Sequence, residues 1–248
     1  MTLRDAWDAN AERWIQWARS PGHDSYWHFH GRRFFELVPP PGRLTIDLGC
    51  GEGRVSRDLV ARGHRVVAID GSFTMAHACA TGSSSQTAPM VTVGDAARVP
   101  LRNRVADLVV AFMSLQDVND LAGAVEGAAR VLEPCGRLCL AIVHPINSAG
   151  EFGDLEAESR FFISGSYMKP SFYEDDIAHD GMRMVFTSAH RPLQTYAEAL
   201  FEAGFAIERL REVTEPDQDV PLERRKRWQR IPLFLHLRAV KLPQSSSS

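Results

Sequence analysis

The chain has 248 residues, 44% hydrophobic and 24% charged, ordinary globular usage that excludes collagen, coiled coil and wholesale disorder. Such a length supports one α/β domain with a sizeable core. A net charge of −3 argues against a chain built to hold a nucleic-acid backbone. Apolar stretches such as Ala106 to Met113 are too short for a bilayer span, and the first residues carry acids and no apolar h-region. A cytoplasmic protein with no membrane segment is therefore expected. Cys50, Cys79, Cys135 and Cys139 form no C-x-x-C pair, so the expectation is buried free thiols and no metal site.

In chain order, Trp7, Trp14 and Trp17 fit one face of a helix, and Tyr26, Trp27, His28, Phe29 and His30 crowd aromatics ahead of the first strand. These side chains either staple the N-terminal helix to the core or close over a ligand. Residues 43–48 read as the first strand, ending in Gly49-Cys50-Gly51-Glu52-Gly53, and a helix over 54–62 stops at Gly63. Residues 65–69 form a second strand, and Ser72 caps a helix to about Ala80. After a small-residue loop over 81–89 come strands at 90–93 and 106–112, a helix at 120–132, a turn at Pro134-Cys135-Gly136 and a strand at 137–143.

From Pro145 to about Met184 the alternation stops. A structureless, aromatic and glycine-rich run of this length reads as a lid or insertion. A helix at 192–203, a strand at 205–213 and a final, edge-type strand at 232–241 complete the pattern. The basic run Arg224-Arg225-Lys226-Arg227, with Arg230, reads as a solvated linker or a phosphate-binding patch, and Ser245 to Ser248 as a disordered or appended tail. Short apolar strands alternating with helices predict an α/β fold whose mostly parallel sheet carries helices on both faces.

Ligands of such a sheet sit beyond the carboxyl ends of its strands. Four groups in the sequence occupy those ends. In Asp47-Leu48-Gly49-Cys50-Gly51-Glu52-Gly53 the alternate glycines let the backbone turn and approach a ligand closely. The spacing departs from the dinucleotide pattern G-x-G-x-x-G, since Arg54 stands where the third glycine would be. Asp70 ends the second strand, where a carboxylate can accept from two ribose hydroxyls. Asp95, in Gly94-Asp95-Ala96, follows the third strand, and Phe112-Met113-Ser114-Leu115-Gln116-Asp117 follows the fourth and could floor a pocket.

Ile46 to Gly53, Val67 to Asp70, Gly94 to Ala96 and Ala129 to Leu138 together resemble the successive motifs of class I S-adenosylmethionine (SAM)-dependent methyltransferases over about residues 40 to 145. The segment from His190 to Phe205 is similar to the type 11-like branch that acts on small molecules. The resemblance implies a Rossmann-like seven-stranded sheet with its last strand antiparallel. It implies a SAM-binding core over 41–144 completed by 187–242, an N-terminal cap over 1–40, a substrate lid over 145–186 and a tail over 243–248. It assigns Asp47 to the glycine loop and the cofactor's amino group, Gly49, Gly51 and Gly53 to the methionyl part, Asp70 with Gly71 to the ribose, Asp95 with Ala96 to the adenine, and Met113 to the adenosine or methionine side.

The implied reaction is in-line transfer of a methyl group to oxygen or nitrogen of a small metabolite, such as a natural-product intermediate, leaving S-adenosylhomocysteine. Its family has no fixed catalytic residue. His144, at the end of the fifth strand, is the first candidate base and is expected to face the acceptor; His190 and His28 follow, since an imidazole titrates near neutrality. Tyr26, Trp27, His30, Tyr167 and Arg191 are the expected acceptor contacts, with Tyr167 and Tyr173 shaping the pocket. The expected partner is a small-molecule acceptor, with no nucleic acid and no membrane, on a monomer or homodimer. An RNA or protein methyltransferase, a silent SAM binder and a nicotinamide-dependent oxidoreductase are the alternatives.

Overall fold

The computed structural model describes residues 2–82, 88–179, 181–215 and 226–243. In chain order its elements are α1 (Leu3–Ala18), a π-helical turn Tyr26–His30 leading into α2 (Gly31–Phe35), β1 (Thr45–Leu48), α3 (Arg54–Ala61), β2 (Val66–Asp70), α4 (Phe73–Thr81) and β3 (Met90–Val93). There follow β4 (Ala106–Phe112), α5 (Leu121–Val131), β5 (Leu132–Val143), α6 (Pro145–Ser148), β6 (Gly150–Phe152), β7 (Phe161–Ile163), β8 (Ser171–His179), β9 (Met182–His190), α7 (Leu193–Glu202), β10 (Phe205–Val213) and β11 (Phe234–Lys241).

Seven strands form one sheet in the order β3-β2-β1-β4-β5-β11-β10. The pairs β3–β2, β2–β1, β1–β4 and β4–β5 are parallel, and β11 runs antiparallel to both β5 and β10. The expected reversed last strand is present, but it is not an edge. β11 sits between β5 and β10 with Leu235, His236 and Leu237 all buried, so both of its faces are covered. Alternation along β4 sends Leu108, Val110 and Phe112 toward Phe34 of α2 and Val55 and Leu59 of α3, and Val109 and Ala111 toward Val125 and Ala128 of α5. Each large aliphatic or aromatic side chain buried this way contributes about 1.5–3 kcal/mol.

Phe34 has no exposed surface and meets the rings of Phe112 and His236 at centroid distances of 4.9 and 5.5 Å. Phe34→Ala should therefore cost about 3–5 kcal/mol in urea unfolding, with the denaturant slope unchanged. A fall under about 1 kcal/mol would contradict this packing.

β5 begins at Leu132, earlier than periodicity predicts. Leu132 pairs with Ala106 and Arg137 with Leu108, so the intervening residues bulge, with Cys135 at φ 65°. The expected turn exists as an irregularity within a strand. The run after Pro145 is not structureless. It contains α6, the antiparallel pair β6–β7, and the longer hairpin β8–β9, which continues to His190.

Arg227 donates to the Asp154 carbonyl (3.1 Å) and Arg230 to that of Ser159 (2.7 Å), so these cations tie down the 154–159 loop rather than forming an open phosphate patch. Arg224, Arg225 and the Ser245–Ser248 tail lie outside the described residues. Among the described residues no helix is long and apolar enough to cross a membrane, and no group of three His, Cys, Asp or Glu could hold a metal.

Candidate active site

A cavity of about 940 Å³ opens at the carboxyl ends of β1, β2, β3 and β4. Its floor is the β1–α3 loop. Gly49, Gly51 and Gly53 adopt φ of 75°, 56° and 93°, a left-handed conformation that other residues occupy only with strain. A Cβ on Gly49 would overlap the Cβ of Ser114, and one on Gly53 would lie 2.5 Å from Cys79 Sγ. Gly49 and Gly51 line the cavity, whereas Gly53 sits behind the loop, packed on α4.

Two carboxylates fix this loop. Asp70 accepts from the Gly51 amide (2.8 Å) through one oxygen and from the Ser72 amide (2.9 Å) through the other. Burial raises its pKa, opposed by these two backbone bonds. Asp47, 1% exposed, accepts from Ser56 Oγ (2.5 Å) through Oδ2, while its Oδ1 has no partner among the described residues. Burial, with the nearby Asp70 charge, pushes the Asp47 carboxyl up to about 7. Gly71, Asp95, Ala96 and Met113 also line the cavity, so the expected cofactor residues other than Gly53 share one space.

The roof comes from outside the sheet. Thr2 and Asp5 cap α1 reciprocally. Arg4 donates to the Gly71 carbonyl (2.7 Å), and Ser72 donates to Asp8, which pins α1 over the β2–α4 loop. Trp7 and Trp14 lie edge to face at 5.8 Å, and Trp7, Trp14 and Trp17 all surround Phe186 of β9. The tryptophans thus staple α1 to the β8–β9 hairpin and at the same time line the cavity. Hairpin register places Tyr173 opposite Ser188, Asp175 opposite Phe186 and Ile177 opposite Met184, one face of the ribbon. Tyr173, Asp175, Ile177, Phe186 and Ser188 of that face border the cavity.

Asp117, on the turn after β4, accepts from Ser188 Oγ (2.6 Å) and from Gln116 Nε2 (3.3 Å). Burial pushes its carboxyl up to about 8. Asp117 and Asp175 carry no individual flag in the sequence, because it is a hairpin returning long after β4 that places Ser188 on Asp117 and brings Asp175 to the same cavity.

The histidine assignments change. His144 was expected to face the acceptor, but its Nδ1 accepts from the Ile146 amide (3.1 Å), capping α6, and its Nε2 lies 3.1 Å from Glu212. The ring is turned away from the cavity lining by these two contacts. His190 is held between Ser148 Oγ (2.8 Å) and the Tyr167 carbonyl (2.9 Å), also off the lining. His28 and Trp27 are exposed on the outer side of the π-helical turn.

Among the expected acceptor contacts, only His30 borders the cavity. It is 2% exposed, stacked on Phe234 at 3.7 Å, and burial holds its pKa well below the ordinary value. Tyr26 donates to Asp58 (2.5 Å), Tyr167 Oη accepts from the Leu193 amide (3.1 Å), and Arg191 donates to the carbonyls of Leu115, Gln116 and Val118. These three side chains brace the walls from behind.

Residues 46–140 match the family described as Methyltransferase domain. The chain is 35% identical over 101 residues to demethylmenaquinone methyltransferase of Thermobifida fusca, covering 40% of this chain and 43% of that protein. It is 34% identical over 124 residues to ubiquinone/menaquinone biosynthesis C-methyltransferase UbiE of a Caulobacter species, covering 46% of this chain and 49% of that one. The chain thus spans about half the length of these relatives. A crystal structure of an S-adenosylmethionine-dependent methyltransferase from Mesorhizobium loti superposes with TM-score 0.69 at 23% identity, over 88% of this chain and 98% of that one.

Proposed function

We propose that this chain, whose residues 46–140 match the methyltransferase-domain family, is a class I SAM-dependent enzyme that moves a methyl group from SAM to a small-molecule acceptor. One observation carries the reading: the glycine loop is held open at the β1 tip, with Asp70 bonded to Gly51 and the buried Asp47 Oδ1 left without a donor. A methionyl ammonium supplies N–H donors of the kind that oxygen lacks. Gly49 and Gly51 leave room for the methionyl chain, the free lone pairs of Asp70 suit ribose hydroxyls, and Asp95, Ala96 and Met113 border the space for adenine. Gly53 supports the loop from behind, and Gly71 fixes α1 through its carbonyl.

When bound, SAM supplies an electrophilic methyl on a sulfonium. The protein's part is placement: α1 and the hairpin exclude water and hold the acceptor in line, an effect worth up to roughly 7–11 kcal/mol in well-oriented systems. We assign the acceptor atom to oxygen or nitrogen. The curated relatives named above are quinone-pathway enzymes, one of them a C-methyltransferase, but the family match ends at residue 140, before the hairpin that forms the acceptor wall. The four cysteines form no disulfide among the described residues, which agrees with a cytoplasmic setting, and a net charge of −3 favours a small acceptor over nucleic acid.

Incubating the protein with methyl-tritiated SAM and fractionated metabolite extracts tests this. Label should move into a small organic product with stoichiometric S-adenosylhomocysteine. Label confined to RNA or protein would assign the chain to macromolecular methylation instead.

A further inference from the structure

The buried unsatisfied side-chain atom on the cavity wall next to Asp117, among the described residues, is a hydrogen-bond acceptor, Gln116 Oε1. Gln116, 3% exposed, donates its Nε2 to the Met113 carbonyl (2.9 Å), which fixes the amide orientation and leaves Oε1 without a partner among the described residues. Asp117 accepts from Ser188 and Gln116 and also feels the Trp7 indole N–H and the Arg191 charge, but Arg191 directs its own N–H groups to the carbonyls of Leu115, Gln116 and Val118, and the two Asp117 oxygens keep lone pairs beyond these bonds. Asp175 stands exposed on the cavity-facing side of β8, without an ion pair among the described residues. By contrast, Glu52 is neutralised by Arg19 and Arg57, and Asp24 by Arg54. Asp117 and Asp175 line the same cavity as the aromatic box of Trp7, Trp14 and Phe186, and neither has an ion-pair partner among the described residues.

Acceptor oxygens beside aromatic faces complement a donor-rich cation, and they repel carboxylates and phosphates. We propose that the acceptor is an amine attached to a flat apolar group: its ammonium is held by Asp117 and Asp175 with Gln116 Oε1, and its ring lies against the tryptophans and Phe186. This rests on the methyltransferase reading and names the substrate class of that site. The Asp117 carboxylate takes one proton from the ammonium, which leaves a neutral amine whose lone pair is free to act as the nucleophile. Burial pushes the Asp117 carboxyl up to about 8 and keeps it largely protonated at neutral pH; an ammonium seated beside it favours the carboxylate, the form that accepts the proton.

The test is calorimetric titration of the S-adenosylhomocysteine-saturated protein with three probes of matched shape: 2-phenylethylamine, 2-phenylethanol and phenylacetate. The amine should bind at least about tenfold more tightly than the alcohol, and phenylacetate should give no heat. Asp175→Asn, at an exposed position that folding does not depend on, should remove most of that preference, and Asp117→Asn should do the same with S-adenosylhomocysteine affinity retained. Equal affinity for amine and alcohol, a preference for the acid, no heat with the amine, or indifference to both substitutions overturns the assignment. Failure of S-adenosylhomocysteine to bind at all is a different result: it defeats the methyltransferase reading itself, and the amine assignment with it.

Discussion

Replacing Gly49 with alanine should lower affinity for S-adenosylhomocysteine on the order of 100-fold, measured by calorimetry. At φ 75° an alanine is strained by about 1–3 kcal/mol, and its Cβ would also overlap Ser114, whose Oγ donates to the Leu48 carbonyl (2.7 Å) and cannot retreat freely. The loop relieves both only by leaving the position in which Gly51 donates to Asp70. Gly51→Ala is a useful companion, because its Cβ would stand 3.2 Å from Trp14 Nε1, so the disturbance passes to the roof rather than to β4. If Gly49→Ala binds as tightly as the parent chain, the loop does not approach the ligand.

Asp47→Asn should stabilise the free protein while weakening binding. In the folded state the carboxyl is pushed up to about 7 from an ordinary value of 3.8, so the native chain holds more protons than the unfolded one across that interval. Stability therefore falls as pH rises from about 4 to about 7, and the full cost is present above 7. Asparagine keeps an acceptor for Ser56 and carries no charge to bury. At pH 8 its Tm should exceed that of the parent by roughly 2–6 °C, and the difference should vanish near pH 4. Burial shifts Asp117 in the same direction in both proteins and cancels, whereas Asp70 repels Asp47, so the difference reports the burial of the Asp47 charge together with that repulsion. Losing the charge-assisted bond to an ammonium should meanwhile weaken S-adenosylhomocysteine about 10- to 100-fold. A variant less stable at pH 8, or one that binds normally, would contradict the role given to the unpartnered oxygen.

The sheet was readable because short apolar segments alternate with helical ones, β4 as an apolar run from Leu108 to Phe112 and β10 as a mixed strand that opens on Phe205-Ala206-Ile207. Residues 90–93, 106–112 and 205–213 coincide with β3, β4 and β10. The cofactor half of the site was readable for a related reason: a ligand at the carboxyl edge of a parallel sheet is contacted by residues at or just past strand ends, and Asp47 and Asp70 fall in the last two residues of β1 and β2, Asp95 and Met113 within two residues after β3 and β4. Position within a sheet is a long-range property, and the alternation in β11 did not reveal that β10 would cover its outer edge.

Hairpin β8–β9 escaped detection because Glu174, Asp175 and Asp176 interrupt any apolar period. One of its faces meets a cavity and the other meets solvent, with Phe172 exposed, so no buried stripe is written into it. His144 is a sharper lesson. Its place at the end of β5 was anticipated, but ring direction depends on the Ile146 amide and on Glu212 of a strand far along the chain. The pairing of Asp117 with Ser188 is likewise a tertiary fact, joining a turn after β4 to a strand of the lid.

Titrating the purified chain with S-adenosylhomocysteine, and separately with NAD, puts the central claim to its most direct test. Saturable binding of the first, weakened about 100-fold in Gly49→Ala and about 10- to 100-fold in Asp47→Asn, with no heat from the second, is the expected result. No binding of S-adenosylhomocysteine, or preferential binding of NAD, would contradict it.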